Sequence, residues 1–136
     1  MLEIVGKLRL DRREWLTVQQ NLYAAFGPVG GACEVLAIAL TWLSLRQRPP
    51  RSRERRLTLM AAIATSVGLI TWATVVSPMN TVLSAWTRES VPAEWTAVRN
   101  RWETGHAAQC ALFAFAFIAL AIAQRPASRN ALLSAK

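Results

Sequence analysis

The apolar residues of this chain are gathered into three long runs instead of being spread at one periodicity. The runs cover residues 29–45, 57–76 and 107–123, and none contains Lys, Arg or Asp. Each has 17 to 20 residues, which as a helix is about 26 to 30 Å long and matches the hydrocarbon core of a bilayer. The pattern predicts three transmembrane helices.

A soluble helical bundle is the alternative. A helix that is apolar on every side must be buried all round, and a chain of 136 residues has too little polar helix to enclose three such segments. We therefore predict an all-α fold, an antiparallel transmembrane bundle in one membrane domain, with the lipid bilayer as its main partner.

The remaining segments read as surface helices and loops. Asp11 and Glu14 form a D-x-x-E capping box, and apolar or amide residues recur at helical spacing until Gly27 and Pro28 interrupt them. This predicts an amphipathic interfacial helix over 11–27. Residues 78–106 are predicted to form an outer loop with a short helix that starts near Pro92.

The net charge of +8 invites a nucleic-acid interpretation, but its distribution favours membrane topology. Six arginines lie in residues 46–56, directly between two apolar runs, where the positive-inside rule predicts a short cytoplasmic loop. The basic C-terminus falls on the same side. We expect a multi-pass protein of the inner (cytoplasmic) membrane, with this loop touching anionic lipid and no specific nucleic-acid partner.

Three spans place the N-terminal tail outside, although it carries Lys7, Arg9, Arg12 and Arg13. An upstream transmembrane helix would restore an even number of spans with both ends inside. We therefore expect a four-helix protein whose first helix is missing from this sequence.

Glu34 is the one acid within an apolar run, and an intramembrane carboxylate is a functional candidate by default. Asn80 and Gln109 are predicted at a similar depth on two other helices. One hypothesis is a polar site where these three side chains converge. The alternative is that Glu34 snorkels to the surface or pairs with Arg99 for stability.

Trp95, Arg99, Trp102 and His106 fall on one helical stripe. An aromatic belt at the bilayer surface accounts for tryptophans there. It does not account for His106, the only histidine, whose imidazole can exchange a proton near neutral pH.

Two cysteines, Cys33 and Cys110, are predicted near the outer ends of two spans. They are either a disulfide pair or two small buried apolar residues. The chain has no C-x-x-C or H-x-x-x-H spacing for a metal and no glycine-rich phosphate motif. We predict no metal site and no cofactor.

The stretch P-x-N followed by W-x-x-x-R-x-x-W-x-x-x-H, with "REWLTVQQNLYAAFGPVGGACE" before it, resembles the anthrone oxygenase-like family of small four-helix membrane proteins. Many bacterial members of that family are known only as a domain of unknown function. The family usually begins with one further membrane helix, as the charge pattern also predicts here.

The resemblance implies oxidation of an enolisable aromatic ketone by molecular oxygen, without metal or flavin. It implies His106 as the base, with Asn80 and Arg99 as donors to the enolate oxygen. Trp95 and Trp102 would be flat walls for the substrate, with Glu34 and Gln109 beside it.

Two other functions stay open at this stage. A small proton-coupled transporter would use Glu34 as its carrier carboxylate, with a face of small residues on the middle helix packing helices or subunits of a homo-oligomer together. A non-catalytic membrane accessory protein would need none of these side chains for chemistry.

Overall fold

The computed structural model describes residues 6–23 and 26–124. Within these residues the regular structure is entirely helical, which confirms the predicted all-α class. Three of the helices are long and apolar enough to cross a membrane. The four helices are α1 (Arg12–Leu22), α2 (Phe26–Arg46), α3 (Arg53–Ser84) and α4 (Trp95–Ala123).

The helices differ in length from the predicted ones. Helix α1 ends at Leu22, not at 27, because Gly27 and Pro28 lie in the first turns of α2, where proline costs no hydrogen bond. Helix α3 continues past 76, and α4 begins at Trp95 and runs unbroken into the third apolar run. The predicted loop over 78–106 is therefore reduced to residues 85–94.

Helix α1 starts at the predicted capping box. The Asp11 carboxylate accepts hydrogen bonds from the backbone N–H groups of Arg13 and Glu14 at 2.8 and 2.9 Å, and the Glu14 carboxylate accepts from Asp11 N at 3.1 Å. Trp15 and Leu16 follow and are completely buried. Their burial fixes α1 against α3 and α4, in a core cluster that includes Val76, Leu83, Val91 and Trp102.

Helices α3 and α4 form the most extensive helix pair of the fold. In the half of the bundle near residues 46–56 their contact is a seam of small side chains, in which Ala61, Ala64, Ala116 and Ala119 are buried. Small residues let two helix backbones approach closely, which is the usual way to gain packing energy within lipid. We call this region the small-residue seam.

Helix α2 packs mainly against α3 and is exposed over most of its surface. Trp42 Nε1 donates to Ser66 Oγ at 3.1 Å, and Arg55 Nη1 donates to the carbonyl of Leu45 at 2.9 Å, near the C-terminus of α2. The outward face carries large apolar side chains, including Val29, Val35, Leu36, Leu40 and Leu43. Such a face fits a lipid environment.

Helix α3 contains one π-helical turn, Trp72–Val76, in which Ser77 N–H bonds to Trp72 O, five residues back. Gly105 of α4 lies against this turn. A Cβ atom at Gly105 would be 2.7 Å from Val76 Cγ2 and 3.1 Å from Val75 Cγ1, so glycine is required for this approach. Turns of this kind frequently occur at functional sites.

Candidate functional site

A cavity of about 730 Å³ opens at the end of the bundle opposite the arginine-rich loop. The lining residues nearest to the small-residue seam along each helix are Glu34 on α2, Trp72 on α3 and Cys110 on α4. Lys7 and residues of α1 also line the cavity. The volume falls within the usual range for small-molecule sites, about 300 to 1,000 Å³.

Trp102 organises one wall of the cavity. Its Nε1 donates to Asn80 Oδ1 at 2.7 Å, which joins α4 to the end of α3. The ring of His106, one helical turn later, lies 4.1 Å from the Trp102 ring in an edge-on arrangement. Trp102 and His106, from the predicted stripe on α4, both line the cavity, and so does Asn80 on α3.

Glu34 and Gln109 are brought together as predicted. Gln109 Nε2 lies 3.0 and 2.9 Å from the two carboxylate oxygens of Glu34 and donates to them. Gln109 is buried at 4% exposure, and Glu34 lines the cavity. The partner of this carboxylate in the structure is therefore Gln109, and the predicted alternative of pairing with Arg99 is wrong.

Three predicted site residues are not among those that line the cavity. Gln109 contacts Glu34, which does line it, whereas Trp95 and Arg99 pack elsewhere. The Arg99 guanidinium stacks 4.8 Å from the centre of the Trp95 ring, and its Nε donates to Asn100 Oδ1 at 3.3 Å. Trp95 packs on Trp15, with 5.7 Å between ring centres. Neither Trp95 nor Arg99 is among the lining residues, because the first turns of α4 pack on α1. Only the later half of the stripe reaches the site.

The sequence prediction missed a charged pair at the cavity wall. Lys7 Nζ lies 3.0 Å from Glu103 Oε1, and both side chains are nearly buried, with 10% and 13% exposure. The contact is an ion pair without the angular geometry of a hydrogen bond at that oxygen. The ammonium also lies 4.6 Å from the ring centres of Tyr23 and Trp102.

Cys33 and Cys110 are both free thiols, and both are exposed, so the structure shows neither the predicted disulfide nor two buried apolar residues. Cys110 lines the cavity. In the described part of the chain, no three His, Cys, Asp or Glu side chains gather as a metal site.

Comparisons of this chain with protein-family models, with curated proteins and with solved structures found no match. The resemblance to the anthrone oxygenase-like family therefore stays a prediction that rests on the sequence motif.

Proposed function

We propose that this chain is an integral membrane protein of the anthrone oxygenase-like family that oxidises a flat, lipophilic aromatic ketone within the cavity. The observation that supports this most directly is the position of His106. It is a single imidazole beside an indole, in a cavity of about 730 Å³, whose mixture of aromatic walls and few polar groups suits such a ligand.

The proposed chemistry begins with proton removal. A ring CH₂ group that is conjugated with the ketone through the aromatic rings, as in anthrone, loses one proton to His106, which leaves an enolate. The electron-rich carbon then reacts with molecular oxygen to form a hydroperoxide, which loses water to give a second carbonyl. The CH₂ carbon is oxidised by four electrons, and dioxygen accepts all four, one oxygen atom ending in the carbonyl and the other in water.

The geometry supports some of the roles implied by the resemblance. Asn80 Oδ1 is used by Trp102, so the amide group offers a ligand its Nδ2 donor. Trp102 and Trp72 provide flat apolar walls. Arg99 and Trp95 have no proposed role in the cavity, because α1 covers that part of α4.

The position of the cavity in the bundle fits a lipophilic substrate. If residues 46–56 face the cytoplasm, the cavity opens on the outer side of the inner membrane. Gly27, Gly30 and Gly31 form part of the α2 wall of the cavity. Because glycine has no side chain, we propose that this wall is a low rim between the cavity and the lipid. We propose that the substrate enters from the bilayer across this rim.

The test is oxygen consumption with anthrone as the substrate, using purified protein in nanodiscs. His106→Ala should reduce the protein-dependent rate by about 10² to 10⁴ fold, the usual contribution of a positioned base. Arg99→Gln is the control from the same stripe and should retain the rate. Empty nanodiscs measure spontaneous oxidation, and a wild-type rate equal to theirs would contradict the proposal.

A proton-coupled transporter using Glu34 is the second candidate function, and the intramembrane contact of Glu34 with Gln109 favours it. In the described residues, however, the cavity lining stops at Glu34, Trp72 and Cys110 and does not continue through the small-residue seam. A transporter would lose pH-gradient-driven uptake into vesicles in Glu34→Gln and tolerate His106→Ala. An accessory protein would show changes only in folding or amount with either variant.

A further inference from the structure

The cavity contains a cation that the proposed reaction does not yet use. Lys7 is 8% exposed, and its ammonium lies between the rings of Tyr23 and Trp102 with Glu103 as counter-ion. Lysine is almost never buried unless it is paired. Here Lys7 lines the cavity, and the chain turns directly after it, with Arg9 N bonded to Gly6 O.

The N–H donors of Lys7 and Gln19 are not fully used by the described residues, and Glu103 Oε1 accepts no hydrogen bond from Lys7. The ammonium carries three N–H bonds, and its described ionic partner is Glu103. Gln19 also lines the cavity, and its Nε2 group is buried without a hydrogen-bond partner among the described residues. A buried donor without an acceptor costs about 1 to 3 kcal/mol, so a ligand that supplies an oxygen there is favoured.

We propose that Lys7, together with the Gln19 amide, forms an oxyanion subsite for the cavity. It would take the anionic oxygen of an aromatic ligand: an enolate, a phenolate or a carboxylate. This inference rests on the proposed function in one respect, since it takes the ligand to be flat and aromatic. Lys7 also supplies the cationic group that the resemblance assigned to Arg99, because Arg99 is stacked on Trp95 and does not line the cavity.

The two carboxylates that line the cavity do not make it a site for cations. Glu103 is the counter-ion of Lys7, and both oxygens of Glu34 accept from Gln109. A ligand ammonium would also have to displace Lys7 from the two ring faces it already occupies. An anionic oxygen instead meets the N–H donors of Lys7 and the Gln19 amide, which have no hydrogen-bond acceptor among the described residues.

The subsite lies beside the proposed base. Glu103 and His106 are separated by about one turn of α4 and line the same cavity. An enolate oxygen held by Lys7 would keep the ligand on the face of α4 that carries the imidazole. Lys7 would then stabilise the charge that forms when the proton leaves.

The test is binding, with probes that cannot be oxidised in this way. We would measure quenching of tryptophan fluorescence in nanodiscs by 2-naphthoate and by 2-naphthamide, which has nearly the same shape without the charge. Lys7→Met should weaken 2-naphthoate binding by about tenfold or more and leave 2-naphthamide binding at the wild-type level. Arg9→Met removes an equal charge from an exposed side chain in the same turn and should change neither affinity.

Loss of Lys7 leaves Glu103 buried without a counter-ion, which could unfold the site. The double variant Lys7→Met with Glu103→Gln removes both charges, and it should still bind 2-naphthamide while losing 2-naphthoate. An ionised nitronaphtholate in place of 2-naphthoate distinguishes a phenolate from a carboxylate subsite. Equal loss of the charged and neutral probes, or no loss of 2-naphthoate in Lys7→Met, would overturn the subsite. Neither result depends on oxygen consumption, so the proposed reaction is judged separately.

Discussion

Helices α3 and α4 meet at two levels of the bundle, and the two contacts differ in kind. At the small-residue seam, buried alanines let the backbones approach. At the other end the helices also approach closely, at Gly105 and Val76, but Trp72, Trp102 and His106 line a cavity of about 730 Å³. The same pair of helices is therefore packed at both levels and borders a cavity at only one of them.

The largest expected effect compares one substitution at the two levels. Ala61→Leu adds three carbons to a side chain with 0% exposure and should lower the free energy of unfolding in detergent by about 3 kcal/mol. Ala107→Leu makes the same change at a cavity-lining position, where there is room. It should leave stability nearly unchanged and weaken binding of 2-naphthamide. Equal destabilisation by both variants would contradict the distinction.

A glycine comparison tests the contact between the π turn and α4. Gly105→Ala places a Cβ atom 2.7 Å from Val76 Cγ2, and the backbone shift should cost about 2 kcal/mol of unfolding free energy. Gly68→Ala is the control, because its Cβ atom would meet the Phe113 ring at 3.3 Å. The ring can move, and alanine gains about 1 kcal/mol in helix propensity, so this variant should be neutral or slightly stabilising.

When Gly105→Ala is combined with Val76→Ala, the loss of unfolding free energy should be smaller than the sum of the losses in the two single variants. The reason is that Val76 Cγ2 is the nearest atom to the new methyl group. Strict additivity would mean that the close approach at Gly105 is not the cause of the loss.

The Glu34–Gln109 contact should have a smaller effect. Glu34→Ala removes the acceptor of a buried Gln109 amide and should lower stability by about 1 kcal/mol, the lower end of the cost of a buried donor without an acceptor. Glu34→Gln keeps an amide oxygen as acceptor and should lose less. Thermal unfolding in nanodiscs gives the ranking, and a Glu34→Gln variant less stable than Glu34→Ala would show that the contact needs the charge.

The smallest effect concerns the start of α1. Backbone hydrogen bonds, that of Glu14 first, hold the pKa of Asp11 below its ordinary value of 3.8. Because the folded pKa is depressed, the stabilisation of α1 is present above that value and is lost as pH falls through the folded pKa. As pH falls through the folded pKa of Asp11, hydrogen exchange at the Arg13 and Glu14 amides, corrected for intrinsic rates, should become faster. Asp11→Asn keeps the acceptor, so its protection should not titrate.

Features set by local pattern were predictable from the sequence. The helices over the three apolar runs and the capping box at Asp11 and Glu14 are confirmed. The proximity of Glu34 and Gln109 followed from depth alone, because both positions lie a similar distance inside the same end of antiparallel helices.

Features that depend on tertiary packing were not predictable in this way. Lys7 and Glu103 are far apart in the chain, and no periodicity joins a residue before α1 to one on α4. A helical stripe shows which side chains share a face of the helix, but not which element packs on that face. Trp95 and Arg99 were therefore predicted in the same site as Trp102, although α1 packs on the first turns of α4. The sequence signal for the ion pair was Lys7 close to the amphipathic helix α1, and a lysine in that position is equally typical of a solvated surface.

The π turn in α3 has a consequence for how such a fold can diverge. Five residues in that turn do the work of about four in an α-helix, so everything beyond it is turned by about 100° relative to an uninterrupted helix. If the same residues formed an uninterrupted α-helix, Asn80 would be turned away from Trp102, while the alanines before the turn would stay in register. The orientation of the side chains at the cavity end can therefore change without disturbing the packing of the small-residue seam.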